Sequence, residues 1–159
     1  MPHATTRIAL AGEYLAASYL LRFCDSVILA PQAHRSDLIL DHQNKLYRVQ
    51  VKTTNSTYLR RGKDYYRWEL RSGRRTVKKE RQDSEERYGD GQIDLFCLVA
   101  LPLNKVIFMP FHKDKNLTEF AKTEKNLLNI DTKESLQACL DQANKSPKLT
   151  PLDRDWETQ

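Results

Sequence analysis

Four side chains in this sequence are of types that act together in one chemistry: Glu13, Asp37, Gln50 and Lys52. Asp37 and Gln50 supply hard oxygen donors, which suit a divalent cation such as Mg²⁺ that keeps several of its waters. Lys52 follows Gln50 by two residues, so a strand holding both presents them on one face. A lysine beside a bound cation can orient or deprotonate an attacking water, or stabilise charge developing on a phosphoryl oxygen. Hydrolysis of a phosphodiester needs little more. An aspartate at a strand edge and a lysine on a solvated face would give the same local pattern, so the positioning elements carry the argument.

Residues 37–41 and 46–53 read as two strands around the polar turn Asp41-His42-Gln43-Asn44-Lys45. Pairing Asp41 with Leu46 sets Ile39 against Arg48 and Asp37 against Gln50. One face of this hairpin is then apolar, with Leu38, Leu40, Tyr47, Val49 and Val51. The other gathers Asp37, Gln50 and Lys52 at the end away from the turn. Residues 7–23 have helical periodicity, with Leu10, Tyr14, Ala17 and Leu21 recurring at its spacing. On that helix Glu13 stands among Ala9, Ala16, Ala17 and Leu20, an apolar stripe in which a charge needs a partner. The candidate partners are Lys52 or Arg48 as an ion pair, or a metal ion shared with Asp37.

A short apolar strand spans residues 27–30, before Pro31. Another strand is predicted over residues 65–70, and a polar helical stretch over residues 76–88, broken by Gly89 and Gly91. Residues 93–101 and 105–109 form a hairpin with Pro102, Leu103 and Asn104 at its turn. The final helix covers residues 132–143, its Leu136, Cys139 and Leu140 facing the core or a second subunit. Helix, strands, strands and helix in this order predict an α/β fold, a mixed β-sheet flanked by helices. Without repeats or a low-complexity linker, residues 1–146 are expected to form one domain, with a polar tail over residues 147–159.

A 159-residue chain that is 40% hydrophobic and 30% charged is globular in composition. No apolar run approaches the length of a membrane span, and there is no leader-like segment, so the expected location is the cytoplasm, away from membranes. Cys24, Cys97 and Cys139 are odd in number, scattered and without a Cys-x-x-Cys pair, which argues against a disulfide scaffold and a zinc site and leaves small buried hydrophobes. His3, His34, His42 and His112 show no metal-ligand spacing.

The net charge of +5 is concentrated. Residues 60–87 hold eleven basic and six acidic residues, and the rest of the chain is neutral. Clustered cations gain affinity for DNA by neutralising phosphates and releasing counterions. The candidate contacts, within a basic segment at about 56–90, are Arg60, Arg61, Lys63, Arg74, Arg75, Lys78, Lys79 and Arg81. Tyr58, Tyr65, Tyr66 and Trp68 interleave with them, and Trp68 is expected to pack beneath the segment. A paired strand over residues 65–70 would make a β-ribbon suited to the major groove. Asp94 is read as an anchor for an Arg or Lys of this segment rather than as a metal ligand.

Gly12-Glu13, Ser36-Asp37-Leu38-Ile39-Leu40 and Tyr47-Arg48-Val49-Gln50-Val51-Lys52-Thr53-Thr54, as an ordered set, resemble the PD-(D/E)XK nuclease superfamily. Gln92-Ile93-Asp94-Leu95-Phe96 and Val106-Ile107-Phe108-Met109-Pro110 are also similar to its archaeal Holliday-junction resolvase branch. The match runs over roughly residues 7–111. The resemblance implies a restriction-endonuclease-like core and metal-dependent cleavage of double-stranded DNA. It further implies a metal held by Glu13 and Asp37 with help from the Val51 carbonyl, and catalysis by Lys52. Most members carry Glu or Asp where this chain has Gln50, which keeps an acceptor oxygen but loses a charge. Gln before Lys is similar to the cyanobacterial group I intron homing endonucleases, which implies a site-specific enzyme acting as a homo-oligomer, dimer or tetramer. A structure-specific resolvase and a DNA-binding module without catalysis are the alternatives.

Overall fold

Alternation of apolar and polar residues sets the centre of the fold in the computed structural model, which describes residues 3–31, 36–71, 92–112 and 117–145. Strands β2 (Leu38–His42) and β3 (Lys45–Thr54) pair antiparallel. Asp41 lies opposite Leu46 and Ile39 opposite Arg48, the register the alternation predicts. The turn is tighter than the five residues read from sequence, because the ladder continues to His42 and Lys45. Gln43 and Asn44 alone make it, at φ 52° and 60°. Two left-handed residues give the turn whose twist matches that of the flanking strands.

Strand β1 (Ser26–Leu29) adds antiparallel to β2. On the other side of β3, β4 (Thr57–Arg60) and β5 (Lys63–Glu69) intervene in sequence before β6 (Leu95–Ala100) returns parallel to β3. Strand β7 (Lys105–Pro110) pairs antiparallel with β6, completing a five-stranded mixed sheet in the order β1-β2-β3-β6-β7. Every residue of β6 is buried, which its unbroken apolar run requires of a strand covered on both faces. The β6–β7 turn is a 3₁₀ turn, Leu101–Leu103, closed by left-handed Asn104 at φ 46°, where the sequence put it.

Helices α1 (Ala4–Leu20) and α3 (Thr132–Lys145) cover one face of this sheet. Ala16 and Leu20 of α1 and Leu136, Cys139 and Leu140 of α3 close over Val49, Val51, Cys97 and Val99. The buried stripe of α1 differs from the one expected: Gly12, Ala16 and Leu20 point inward, while Tyr14 and Leu21 are 61% and 57% exposed. Small side chains let the helix backbone approach β3 closely, and that packing, rather than the larger hydrophobes, sets its rotation.

The opposite face is covered by a second sheet that the sequence reading did not anticipate. Strands β4, β5 and β8 (Glu119–Thr123) form a three-stranded antiparallel sheet, followed by the short helix α2 (Glu124–Leu128). Tyr66, Trp68, Leu70 and Leu127 pack there on Phe96, Leu98, Ala100 and Ile107. Trp68 has the packing role expected of it: it is 2% exposed, and its Nε1 donates to the Val99 carbonyl at 3.0 Å. The mixed sheet flanked by helices is therefore present, with α1 and α3 on one face. Cys97 and Cys139 are buried free thiols and Cys24 is half-buried. Among the described residues no helix is long and apolar enough to cross a membrane. The stretch predicted helical at residues 76–88 and the tail at residues 147–159 lie outside the described residues.

Candidate active site

Asp37 immediately precedes β2, and its backbone N–H donates to the Val49 carbonyl at 3.0 Å, extending the β2–β3 ladder by one step. This brings its side chain beside β3. Its Oδ2 accepts from the Gln50 amide Nε2 at 2.6 Å and from the Val51 backbone N–H at 2.8 Å. With Nε2 turned to the carboxylate, Gln50 Oε1 is buried and has no hydrogen-bond partner among the described residues. A buried acceptor left without a donor costs free energy unless something electropositive fills the space beside it.

Lys52 lies two residues along β3 from Gln50 and donates through Nζ to the Arg71 carbonyl at 2.6 Å. Burial lowers its pKa from the usual lysine value, while the charges of Asp37 and Glu69 pull it back up. Burial raises the pKa of Asp37, opposed by the Val51 N–H, the Lys52 charge and the Gln50 amide.

Glu13 reaches this region through a contact between helix and strand. A Cβ at Gly12 would stand 1.8 Å from Thr53 Oγ1 and 2.8 Å from Thr53 Cβ. Only glycine allows α1 to lie so near β3, and the next residue is Glu13. Burial, and then the charge of Asp37, raise the Glu13 carboxyl from 4.5 to about 6. Neither ion pair considered for Glu13 forms. Arg48 is taken by Asp94, Lys52 turns to the Arg71 carbonyl, and Glu13 makes no ion pair among the described residues.

The Arg48–Asp94 contact corrects the reading of Asp94, whose partner is on β3 rather than in the basic segment. Asp94 Oδ2 accepts from the Arg48 backbone N–H at 2.6 Å and from its Nε at 3.3 Å, and Asp94 N–H donates to the Arg48 carbonyl at 2.8 Å. Arg48 is only 5% exposed, and its Nη2 is buried without a partner among the described residues. This clamp fixes the start of β6 against β3 two residues before Gln50.

Among the described residues no group of three His, Cys, Asp or Glu side chains is placed to hold a metal ion. The oxygens that the sequence nominates as ligands, the Glu13 and Asp37 carboxylates, the Gln50 amide oxygen and the Val51 carbonyl, are all hard donors of the kind Mg²⁺ takes. A cation would relieve the mutual repulsion of Glu13 and Asp37 and satisfy Gln50 Oε1, so the residues present fit such an ion.

Of the DNA-binding candidates, Arg60, Arg61 and Lys63 are exposed at the tip of the β4–β5 hairpin, where Arg61 and Gly62 make a tight turn at φ 50° and 73°. Arg74, Arg75, Lys78, Lys79 and Arg81 lie outside the described residues. Arg67 and Arg71, which the sequence reading counted among the basic residues but not among the contacts, border the cleft beside Lys52. Alternation along residues 65–70 was the available signal: with Tyr66 and Trp68 inward, Arg67 turns outward.

A model of the PD-(D/E)XK endonuclease family matches residues 5–139, and the chain belongs to that family. Among solved structures it is similar to a bacterial homing endonuclease, I-Ssp6803I, with a TM-score of 0.63 over 92% of this chain and 100% of that one. The identity is 16%, so the likeness is one of fold. No curated protein matches the chain.

Proposed function

We propose that the protein is a metal-dependent DNA endonuclease that cuts both strands of a duplex at a defined site, as a homing endonuclease does. The observation that carries this reading is the buried Gln50 Oε1, without a partner among the described residues, beside Asp37 and two residues from Lys52, in a chain of a nuclease family. Asp37, Glu13, Gln50 Oε1 and the Val51 carbonyl would hold Mg²⁺, which supplies polarisation of the phosphoryl oxygen and acidity to a bound water. The chain's own groups do the rest. The Val51 N–H and the Gln50 amide fix the Asp37 carboxylate. Lys52, its pKa lowered by burial, accepts or relays a proton from the attacking water more readily than a solvated lysine. Arg60, Arg61 and Lys63 on the β4–β5 hairpin, with Arg74, Arg75, Lys78, Lys79 and Arg81, neutralise backbone phosphates.

One such site hydrolyses one strand. Cutting both strands calls for a symmetric homo-oligomer, a dimer or tetramer, on a nearly palindromic target. The neutral Gln50 favours a second reading, a DNA-binding module without catalysis. A direct competition separates these: a long randomised linear duplex against a mobile four-way junction, with Mg²⁺. Discrete cuts at a rare duplex site support the proposal. Cutting of the junction alone makes the protein a resolvase, and binding of either without cutting under any divalent ion supports the inactive module.

A further inference from the structure

A cleft of about 410 Å³ opens between β3 and β5, lined by Lys52, Thr53, Arg67, Trp68, Glu69 and Arg71. Half of these residues are cations. Trp68 makes a rigid wall, because it is buried and its indole is tied to the Val99 carbonyl. Arg67 is held in place rather than left to wander: Nη2 lies 3.1 Å from Glu69 Oε1 and Nη1 lies 3.7 Å from Glu119 Oε2. Its guanidinium also sits 5.4 Å from the centre of the Tyr58 ring. The guanidinium is thus preorganised on an exposed pair of carboxylates, beside the lysine of the candidate active site. Its planar fork matches two phosphate oxygens as well as two carboxylate oxygens.

We propose that this cleft is a phosphate subsite, taking a backbone phosphate that flanks the scissile one in the cleaved DNA strand, with Arg67 and Arg71 as its ligands. Glu69 is the intrinsic anion that keeps Arg67 aligned until a phosphate replaces it. Glu69 is 74% exposed at its side chain and its pair with Arg67 is solvated, so that exchange is easy. The inference rests on the reading of the protein as a DNA endonuclease and extends it by a contact that positions the strand over Lys52.

The test begins with equilibrium binding of a labelled random-sequence duplex in EDTA, at several salt concentrations. Variants are Arg67→Gln, Arg67→Lys, Glu69→Gln and, as a control for net charge, Arg22→Gln just beyond α1, the helix on the sheet face opposite the β4–β5–β8 sheet. Arg67→Gln should weaken binding several-fold and make the slope of log K against log salt shallower by about 0.9, one phosphate contact. Arg67→Lys should restore the slope but not the full affinity, and Glu69→Gln should tighten binding. Thermal melts and far-ultraviolet circular dichroism establish that each variant is folded. If the protein binds DNA and Arg67→Gln leaves the slope unchanged, or Arg22→Gln changes it equally, the subsite is overturned while the endonuclease reading stands. If the unmodified protein shows no salt-dependent binding, both fall.

A second measurement fixes the location, on a duplex that the protein cuts. A neutral methylphosphonate beside the scissile phosphate should slow cleavage by the unmodified protein about tenfold and slow Arg67→Gln no further. Equal slowing of both proteins at every flanking position would overturn the placement.

Discussion

At the scale of single residues the site is built on opposed preferences. Asp37 and Glu13 are both raised in pKa by burial, and Glu13 also by the charge of Asp37. Between pH 4.5 and 6 the folded, metal-free protein therefore keeps a proton on Glu13 that the unfolded chain has released, so stability falls as pH rises through that window. Glu13→Gln should flatten this part of the stability–pH curve, measured by urea unfolding in EDTA. A curve unchanged by the substitution would show that Glu13 is not in this environment. Gln50 makes the complementary case. Gln50→Glu restores a charge beside Asp37 and removes the amide donor that Asp37 Oδ2 accepts at 2.6 Å. Manganese titration followed by electron paramagnetic resonance should find metal bound about tenfold more tightly, about 1.4 kcal/mol, by this variant. Its thermal midpoint without metal should be lower than that of the unmodified protein. The Asp37–Gln50 adjacency was legible in the sequence because the apolar alternation from Leu38 to Val51 admits one register. The reach of Glu13 to Asp37 was legible only as one of three options, because it depends on how α1 docks.

That docking belongs to the scale of elements. Gly12 against Thr53 is the contact that sets the approach of α1 to β3. Gly12→Ala should destabilise the protein by about 1–3 kcal/mol, the usual cost of overpacking, and should depress activity further by displacing Glu13. Adding Thr53→Ala removes the Oγ1 and Cγ2 clashes but leaves Cβ at 2.8 Å, so rescue in thermal melts should be partial. Full stability of Gly12→Ala would refute the close approach. The Arg48–Asp94 clamp is the second element-scale device. Asp94→Ala strands a buried guanidinium and should cost about 3–5 kcal/mol, whereas Arg48→Met with Asp94→Ala should recover much of it. Denaturant melts of the two variants give the comparison, and equal losses would argue against a buried ion pair. Nothing local in the sequence marks this pair, since 46 residues separate its members. The same limit hid β4 and β8. Thr57–Arg60 and Glu119–Thr123 are short and polar, and their strand character comes from pairing with β5, which is decided by tertiary context. The β2–β3 and β6–β7 hairpins, by contrast, carry their own alternation and turns.

At the scale of the whole molecule, the order of elements in the sequence was enough for a mixed sheet with flanking helices, and the family match over residues 5–139 agrees with it. Composition did not reveal that the second face would be covered by a small sheet. That sheet places the cationic β4–β5 hairpin and the Arg67 cleft on the same side of β3 as Lys52. Of the basic residues concentrated in residues 60–87, Arg60, Arg61 and Lys63 lie at the tip of the β4–β5 hairpin and Arg67 and Arg71 border the cleft beside Lys52. The central claim is that the protein hydrolyses DNA by attack of water, with Lys52 taking or relaying the water's proton beside an oxygen-ligated metal. Its most direct test is cleavage of a randomised duplex library by the unmodified protein and by Lys52→Ala, each with Mg²⁺ and with EDTA. The account predicts discrete cleavage by the unmodified protein with Mg²⁺ alone, and a rate at least about 10²-fold lower for Lys52→Ala with DNA binding retained. Undiminished cleavage by Lys52→Ala, or cleavage that persists in EDTA, would contradict it.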